Sequence, residues 1–196
     1  MLNLIRQGRA ERNFYLSLEL NRRSIPSLIP LGAWKKCSFS KISEGLVYPL
    51  QQNNLLSHKI FNLLQKKENK TLEMILYRLT KFLWEMHERG IFHGDFKVNN
   101  LFVEGKKFII FDLDAAKIYK KGVPLNKRLK DLATLAFSLE CIGIPGHLAS
   151  RILNFYHQFY SFENLQKTQY IFNTLIQQKK EKRINKFEGC FRQYHR

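Results

Sequence analysis

Three polar side chains of different chemistry lie close together in the segment "IFHGDFKVNN", which covers residues 91–100. They are His93, Asp95 and Asn100, and Asp112 follows in the segment "IIFDLDAAK". A carboxylate can orient a hydroxyl group and accept its proton, whereas carboxylate and amide oxygens are ligands that Mg²⁺ prefers. Phosphoryl transfer from ATP requires these functions from a protein, together with a cation that offsets negative charge. The spacing therefore predicts a phosphoryl-transfer site.

Each candidate residue has an expected role at such a site. Asp95 would orient the acceptor hydroxyl as catalytic base, and Lys97 would neutralise the transferred phosphoryl group. Asn100 and Asp112 would bind the metal and, through it, the nucleotide phosphates. Asp114 would share a face with Asp112 if the strand continues, as a further metal ligand or an electrostatic partner. Any one of these residues alone is compatible with a structural role, such as forming a turn.

The elements that must position these residues follow from the hydrophobic pattern. Apolar residues recur at three- and four-residue steps over 72–89, which predicts a helix, and Gly90 occupies its expected C-cap. Residues 100–111 predict a β-hairpin with its turn near Glu104 and Gly105, so that Asp112 ends the second strand. We also expect helices at 9–23, 55–66 and 127–142, short strands within 33–50, of which 45–50 is the best, a polar loop at 66–71, and only helices beyond residue 146, with 179–183 ("KKEKR") as a solvated turn.

Composition restricts the class of protein without choosing the function. The 196 residues suffice for one domain, or for one domain and a small appendage. A formal net charge of +17 favours anionic partners, whether nucleic acid, a membrane surface or phosphorylated substrates. The three cysteines have no zinc-binding spacing, which predicts reduced thiols in a cytosolic protein. We find neither the apolar stretch of a signal peptide nor an uninterrupted membrane span.

The segments "HGDFKVNN" and "FDLD" resemble the H-x-D-x-x-x-x-N catalytic loop and the D-F-G metal motif of the protein-kinase-like superfamily. They resemble more closely the motifs HGDLK-x-x-N and I-D-L-D-x-A-R of the lipopolysaccharide core kinases, the Kdo/heptose kinase family. This resemblance implies an α+β protein-kinase-like fold, with a reduced N-lobe at residues 1–50 and a mostly helical C-lobe at 51–196 that carries the catalytic hairpin. It also implies that Glu11 pairs with a lysine of the small lobe, and that Asp131 braces the backbone of the catalytic loop.

The same resemblance implies that ATP and Mg²⁺ are used to phosphorylate a sugar hydroxyl of the lipopolysaccharide inner core, on Kdo or heptose. Few residues separate Asp112 from Asp131, which leaves no room for a long activation segment. A sugar or another small molecule is therefore favoured over a protein as the acceptor. We expect a cytoplasmic enzyme, peripheral on the inner membrane, with a basic surface that contacts anionic headgroups.

One part of the kinase pattern does not appear in this sequence. Only ten residues precede Glu11, with no glycine-rich loop, and no lysine occurs before Lys35. Arg6 and Arg9 are the cations considered as replacements. A missing N-terminal segment, a different mode of phosphate binding and weakened catalysis all stay open as explanations. Two other functions therefore stay open: an inactive pseudokinase or binding module, and an atypical kinase of the RIO type that associates with RNA or the ribosome.

Overall fold

The computed structural model describes residues 8–38, 41–49 and 54–194. The N-terminal part consists of one helix and one antiparallel hairpin. Helix α1 covers Arg9–Arg22, strand β1 covers Gly32–Ser38, and strand β2 covers Lys41–Val47.

The rest of the described chain is mostly helical with three very short strands and one hairpin. Its elements are β3 (Asn54–Leu55), α2 (Leu56–Gln65), α3 (Asn69–Glu88), β4 (Ile91–Phe92), a 3₁₀ turn (Val98–Asn100), β5 (Leu101–Glu104), β6 (Lys107–Ile110), β7 (Lys117–Ile118), α4 (Leu125–Cys141), α5 (Gly146–Ala149), α6 (Arg151–His157) and α7 (Leu165–Tyr194). Strands β3, β5 and β6 form one antiparallel sheet, and β4 pairs with β7. The architecture is thus α+β.

Helix α3 leads directly into the candidate catalytic loop. Its apolar residues at three- and four-residue steps are buried, including Leu76, Leu79 and Leu83. Gly90 follows the helix with a φ of +75°, and a Cβ atom there would lie 2.4 Å from the carbonyl oxygen of Tyr119. Only glycine fits this turn, so the chain stops being helical just before the loop.

Helix α4 lies at the centre of the C-terminal part. Most of its residues are buried, including Leu132, Leu135 and Leu139, which are fully inaccessible. It packs against α6 and α7 and also against the 3₁₀ turn of the catalytic loop. Because it is covered on several sides, α4 acts as a rigid support for that loop.

The segment after α1 joins the N-terminal part to the catalytic hairpin. The backbone N–H of Leu28 donates to the carbonyl of Ile110 at 2.8 Å, and the N–H of Ile110 donates to the carbonyl of Pro26 at 3.1 Å. Strand β6 thereby gains a backbone partner on its open edge. The boundary expected at residues 50 and 51 stays a prediction.

The secondary-structure predictions agree with these bounds, with local exceptions. The predicted loop at 66–71 is too long, because α3 already begins at Asn69. Strand β2 ends at Val47, so the strand expected at 45–50 is shorter, and its last residue lies outside the described part. Residues 158–164 separate α6 from α7 and are not helical, and Lys179 is half-buried rather than solvated. Among the described residues, no helix combines the length and apolarity that crossing a membrane requires.

Candidate active site

Asp131 of α4 holds the start of the catalytic loop through the loop's backbone. Its carboxylate is fully buried and accepts hydrogen bonds from the N–H groups of His93 and Gly94, both at 2.9 Å. Hydrogen bonds from backbone N–H groups to a buried carboxylate are among the stronger ones in proteins. The predicted bracing role of Asp131 is therefore confirmed.

His93 connects the loop to the catalytic hairpin. Burial lowers the pKa of its imidazole below 6.5, so the ring is neutral. Its Nδ1 atom accepts a long bond of 3.4 Å from the N–H of Asp95, which leaves the proton on Nε2. That Nε2–H donates to the carbonyl of Phe111 at 3.2 Å, immediately before Asp112. The histidine thus has a structural role in which it fixes the distance between the two motifs.

Gly94 allows the loop to approach the turn that follows the metal motif. Its φ is +82°, and a Cβ atom would lie 2.6 Å from the carbonyl oxygen of Ala115. Both the backbone conformation and the close contact require glycine. The G of the "HGD" motif therefore reflects a packing constraint.

The loop brings Asp95, Lys97 and Asn100 together. The Lys97 ammonium lies 2.6 Å from the Asp95 carboxylate, and both side chains are partly exposed. Asn100 is buried, and its side-chain N–H₂ donates to the backbone carbonyl of Asp95 at 3.0 Å. This bond fixes the amide orientation, and no described residue donates to the side-chain oxygen of Asn100. That oxygen is therefore available to a cation.

Asp112 lies beside Asn100 because of the hairpin register. Leu101 pairs with Ile110, and the N–H of Phe111 donates to the carbonyl of Asn100 at 3.1 Å. Asp112 has a φ of +58°, a left-handed conformation that costs a non-glycine residue about 1 kcal/mol. Its side chain is exposed and forms no ion pair with another described residue. Burial and then the Asp112 charge raise the pKa of Tyr48, which shows that the segment after β2 lies near this carboxylate.

The strand does not continue through the second acidic residue, as had been considered. Strand β6 ends at Ile110, and the left-handed turn at Asp112 destroys the two-residue alternation. Asp114 therefore does not share a strand face with Asp112. Its carboxylate contacts α1, where it forms an ion pair with Arg9 and accepts a hydrogen bond from the Asn13 side chain.

Glu11 lies on the same helix but is not brought to the loop. It is exposed in the first turn of α1 and forms no ion pair within the described part of the chain. It lines a cavity of about 400 Å³ that also includes Trp34 and Lys35. Helix α1 is thus connected to the metal motif by Arg9, Arg12 and Asn13, the second of which donates to the backbone carbonyl of Asp114. Arg6 lies outside the described residues.

A buried polar chain that the sequence did not reveal supports Asp131 from below. The His87 Nε2 atom lies 3.3 Å from the Asp131 carboxylate, and its Nδ1 accepts from the Tyr156 hydroxyl at 2.7 Å. Burial lowers the pKa of His87, so the ring is neutral, and burial raises the pKa of Tyr156. The hydroxyl accepts in turn from Arg128, which pairs with Glu88 at 2.7 Å. Only buried polar residues on apolar helices signal this arrangement, and such residues have many explanations.

The described residues can offer a cation only part of its coordination shell. No three His, Cys, Asp or Glu side chains among them lie close enough to form a metal site. The free oxygen of Asn100 and the unpaired carboxylate of Asp112 are hard ligands that suit Mg²⁺, which usually takes one or two protein ligands and completes its shell with phosphates and water. The residues present therefore fit a metal that arrives with a nucleotide.

Comparisons with known proteins agree with this geometry. The chain matches the model of the lipopolysaccharide kinase (Kdo/WaaP) family over residues 57–156, which is half of the chain and includes the loop, the hairpin and α4. Comparison with curated proteins gives no match.

A solved structure described as WaaP in complex with acyl carrier protein is similar in fold. The TM-score is 0.63 at 18% sequence identity, over 87% of this chain and 75% of that chain. At that identity the likeness supports the fold alone, a kinase-like fold with a reduced N-lobe. On the family match, the chain belongs to the lipopolysaccharide kinase (Kdo/WaaP) family, whose members are kinases that act on sugar hydroxyls.

Proposed function

We propose that this protein transfers the γ-phosphoryl group of ATP, bound with Mg²⁺, to a hydroxyl of Kdo or heptose in the lipopolysaccharide inner core. The observation that carries the proposal is the arrangement of Asp95, Asn100 and Asp112 within the region that matches the family model. Each of these residues offers an oxygen at the edge of one loop and hairpin. The nucleotide and the acceptor sugar extend what family membership supports.

Asp95 is the proposed catalytic base. Its carboxylate is partly exposed and contacts only Lys97 among the described side chains, so a sugar hydroxyl can approach it. The base orients the hydroxyl toward the phosphorus atom and takes its proton as the new P–O bond forms. Lys97, 2.6 Å away, keeps the carboxylate ionised and can turn toward the phosphoryl oxygens as negative charge accumulates there.

Asn100 and Asp112 are the proposed metal ligands. The hydrogen bond from Asn100 to Asp95 couples the position of the base to that of the amide oxygen. Mg²⁺ would offset the phosphate charge when bound with the nucleotide. Asp114 is the less direct candidate, since Arg9 and Asn13 already occupy its carboxylate.

The proposed location is peripheral to a membrane. The formal net charge of +17 supports attraction to anionic headgroups, and it is compatible with an acceptor carried on a lipid. Co-sedimentation with anionic and neutral vesicles at two salt concentrations tests this point, because electrostatic attraction weakens as salt rises.

An inactive nucleotide-binding protein is the second candidate. The exposed Glu11, which has no cation partner in the described part of the chain, favours it because the phosphate-binding lysine is not identified. No observation made on this chain supports the RIO-type alternative.

The experiment measures transfer from radiolabelled ATP to a Kdo-bearing lipid A precursor. Asp95→Asn and Asp112→Asn should each reduce transfer by about 10²–10⁴-fold, whereas Glu163→Gln, an exposed acid far from the loop in sequence, serves as the control. Nucleotide binding without turnover in the unaltered protein would favour the second candidate. Full transfer by Asp95→Asn would refute the proposed role of the base.

A further inference from the structure

Helix α7 presents a continuous face to α4, and this face ends in a lysine. Thr168, Phe172 and Ile176 are buried at four-residue steps along it. Lys179 lies three residues after Ile176 on the same face and is half-buried. The neighbouring Lys180 fixes this end of the helix, since its ammonium lies 2.7 Å from the Glu140 carboxylate of α4.

The catalytic loop rests on the same helix. Asp131 of α4 holds the loop's beginning, and the Ser138 hydroxyl accepts from the N–H of Val98 at 3.2 Å further along. Helix α4 thereby supports the loop and α7 at once. The ammonium of Lys179 consequently lies in electrostatic reach of Asp95 and Lys97, and burial lowers its pKa.

The charges around Lys179 do not balance within the described part of the chain. Asp131 is already engaged by backbone N–H groups, and Asp95 is paired with Lys97. Lys130 is another neighbour of Lys179, and its ammonium lies 5.8 Å from the centre of the Phe92 ring without a carboxylate partner. The unpaired ammonium groups of Lys130 and Lys179 therefore leave a cationic surplus beside the proposed catalytic base.

We propose that Lys179, together with Lys130 and Lys97, binds an anionic group of the acceptor sugar, a carboxylate or a phosphate, beside the hydroxyl that Asp95 orients. This inference rests on the proposed function. A half-buried ammonium without an anion loses part of its hydration, and a bound anion offsets that loss. The position also fits the acceptor better than the nucleotide, because Asn100 and Asp112 lie toward the hairpin, whereas these lysines come from α4, α7 and the loop.

Lys179 is thus a specificity-determining residue supplied from outside the region that matches the family model. In Lys179→Gln, KM for a Kdo-bearing acceptor should rise about tenfold, the range of one partly screened charge pair, with a smaller change in kcat. Lys179→Arg should restore KM, because it keeps the charge. Lys180→Gln, one position along the same helix, should leave both constants unchanged.

Direct binding to three small probes distinguishes the sources of the anion. We would titrate the unaltered protein and Lys179→Gln with Kdo, which carries a carboxylate, with glucose 6-phosphate, and with neutral glucose. Tighter binding of one charged probe than of glucose, lost in Lys179→Gln, supports the proposal and identifies the group.

Two failures can be told apart. If the unaltered protein transfers phosphate but Lys179→Gln has the same acceptor KM, the anion subsite is refuted and the proposed function stands. If the unaltered protein transfers nothing, the proposed function fails, and the probe titrations still decide on the subsite. Equal binding of all three probes to both proteins would overturn it.

Discussion

Replacing Asp131 by asparagine tests whether the buried carboxylate holds the catalytic loop. One carboxylate oxygen accepts from Gly94, and the other accepts from His93 and lies 3.3 Å from His87. Asparagine keeps only one acceptor oxygen, so its N–H₂ group must face at least one backbone N–H. The best orientation preserves the doubly bonded oxygen and leaves the Gly94 N–H without an acceptor.

The magnitude follows from those bonds. Losing one hydrogen bond to a charged acceptor, with its donor left buried, costs about 1.5–3 kcal/mol, and the remaining bonds weaken as the charge disappears. We expect the free energy of unfolding to fall by about 3 kcal/mol, which lowers Tm by about 6–12 °C in a chain of this size.

Urea unfolding followed by circular dichroism measures the loss, and hydrogen exchange of the Gly94 amide should accelerate. Glu140→Gln is the matched control, because it makes the same acid-to-amide change at the other end of α4 in a more exposed pair with Lys180. Such a pair contributes about 0–1 kcal/mol. Equal destabilisation by the two variants would refute the idea that the Asp131 carboxylate supports the loop.

Gly94→Ala should destabilise the protein by about 2–4 kcal/mol, because it adds a clash with the Ala115 carbonyl to an unfavourable positive φ. Gly105→Ala is its control, since Gly105 also has a positive φ but no atom within 4 Å of the added Cβ, and thermal melts that fail to separate the two variants would contradict the close contact. Unfolding free energy should also fall with acidification: burial lowers the pKa of His87 and His93 in the folded protein below 6.5, so the unfolded chain binds more protons below that pH. The expected slope is up to about 1.4 kcal/mol per pH unit for each histidine, and urea titrations with a flat profile between pH 7 and pH 5 would exclude it.

Local patterns were sufficient for the elements that carry the site. Helix α3 and the hairpin were predicted because their apolar residues repeat with one clear period, and Gly90 marks the end of the helix. Asp131 was found through the resemblance to kinases, and its two backbone bonds agree with that expectation. These features depend on short spacings or on a recognisable motif.

Other features depend on contacts between distant segments, which spacing alone does not reveal. The partners of Asp114 lie about a hundred residues earlier, on α1. The left-handed backbone of Asp112 could not be predicted either, because an aspartate after a strand is compatible with several conformations. Lys179 was expected to be solvated, since a run of charged residues usually covers an exposed helix face, and the packing of α7 on α4 decides otherwise.

The packing of α7 on α4 also determines how small a working fragment of this protein can be. A fragment trimmed to residues 57–156 would keep Asp95, Asn100 and Asp112, yet it would lose Phe172 and Ile176, which are buried in the core. The apolar surface uncovered in this way would favour aggregation over folding. Attempts to isolate a minimal domain should therefore retain the chain through α7, and affinity tags or fluorescent labels are better attached elsewhere.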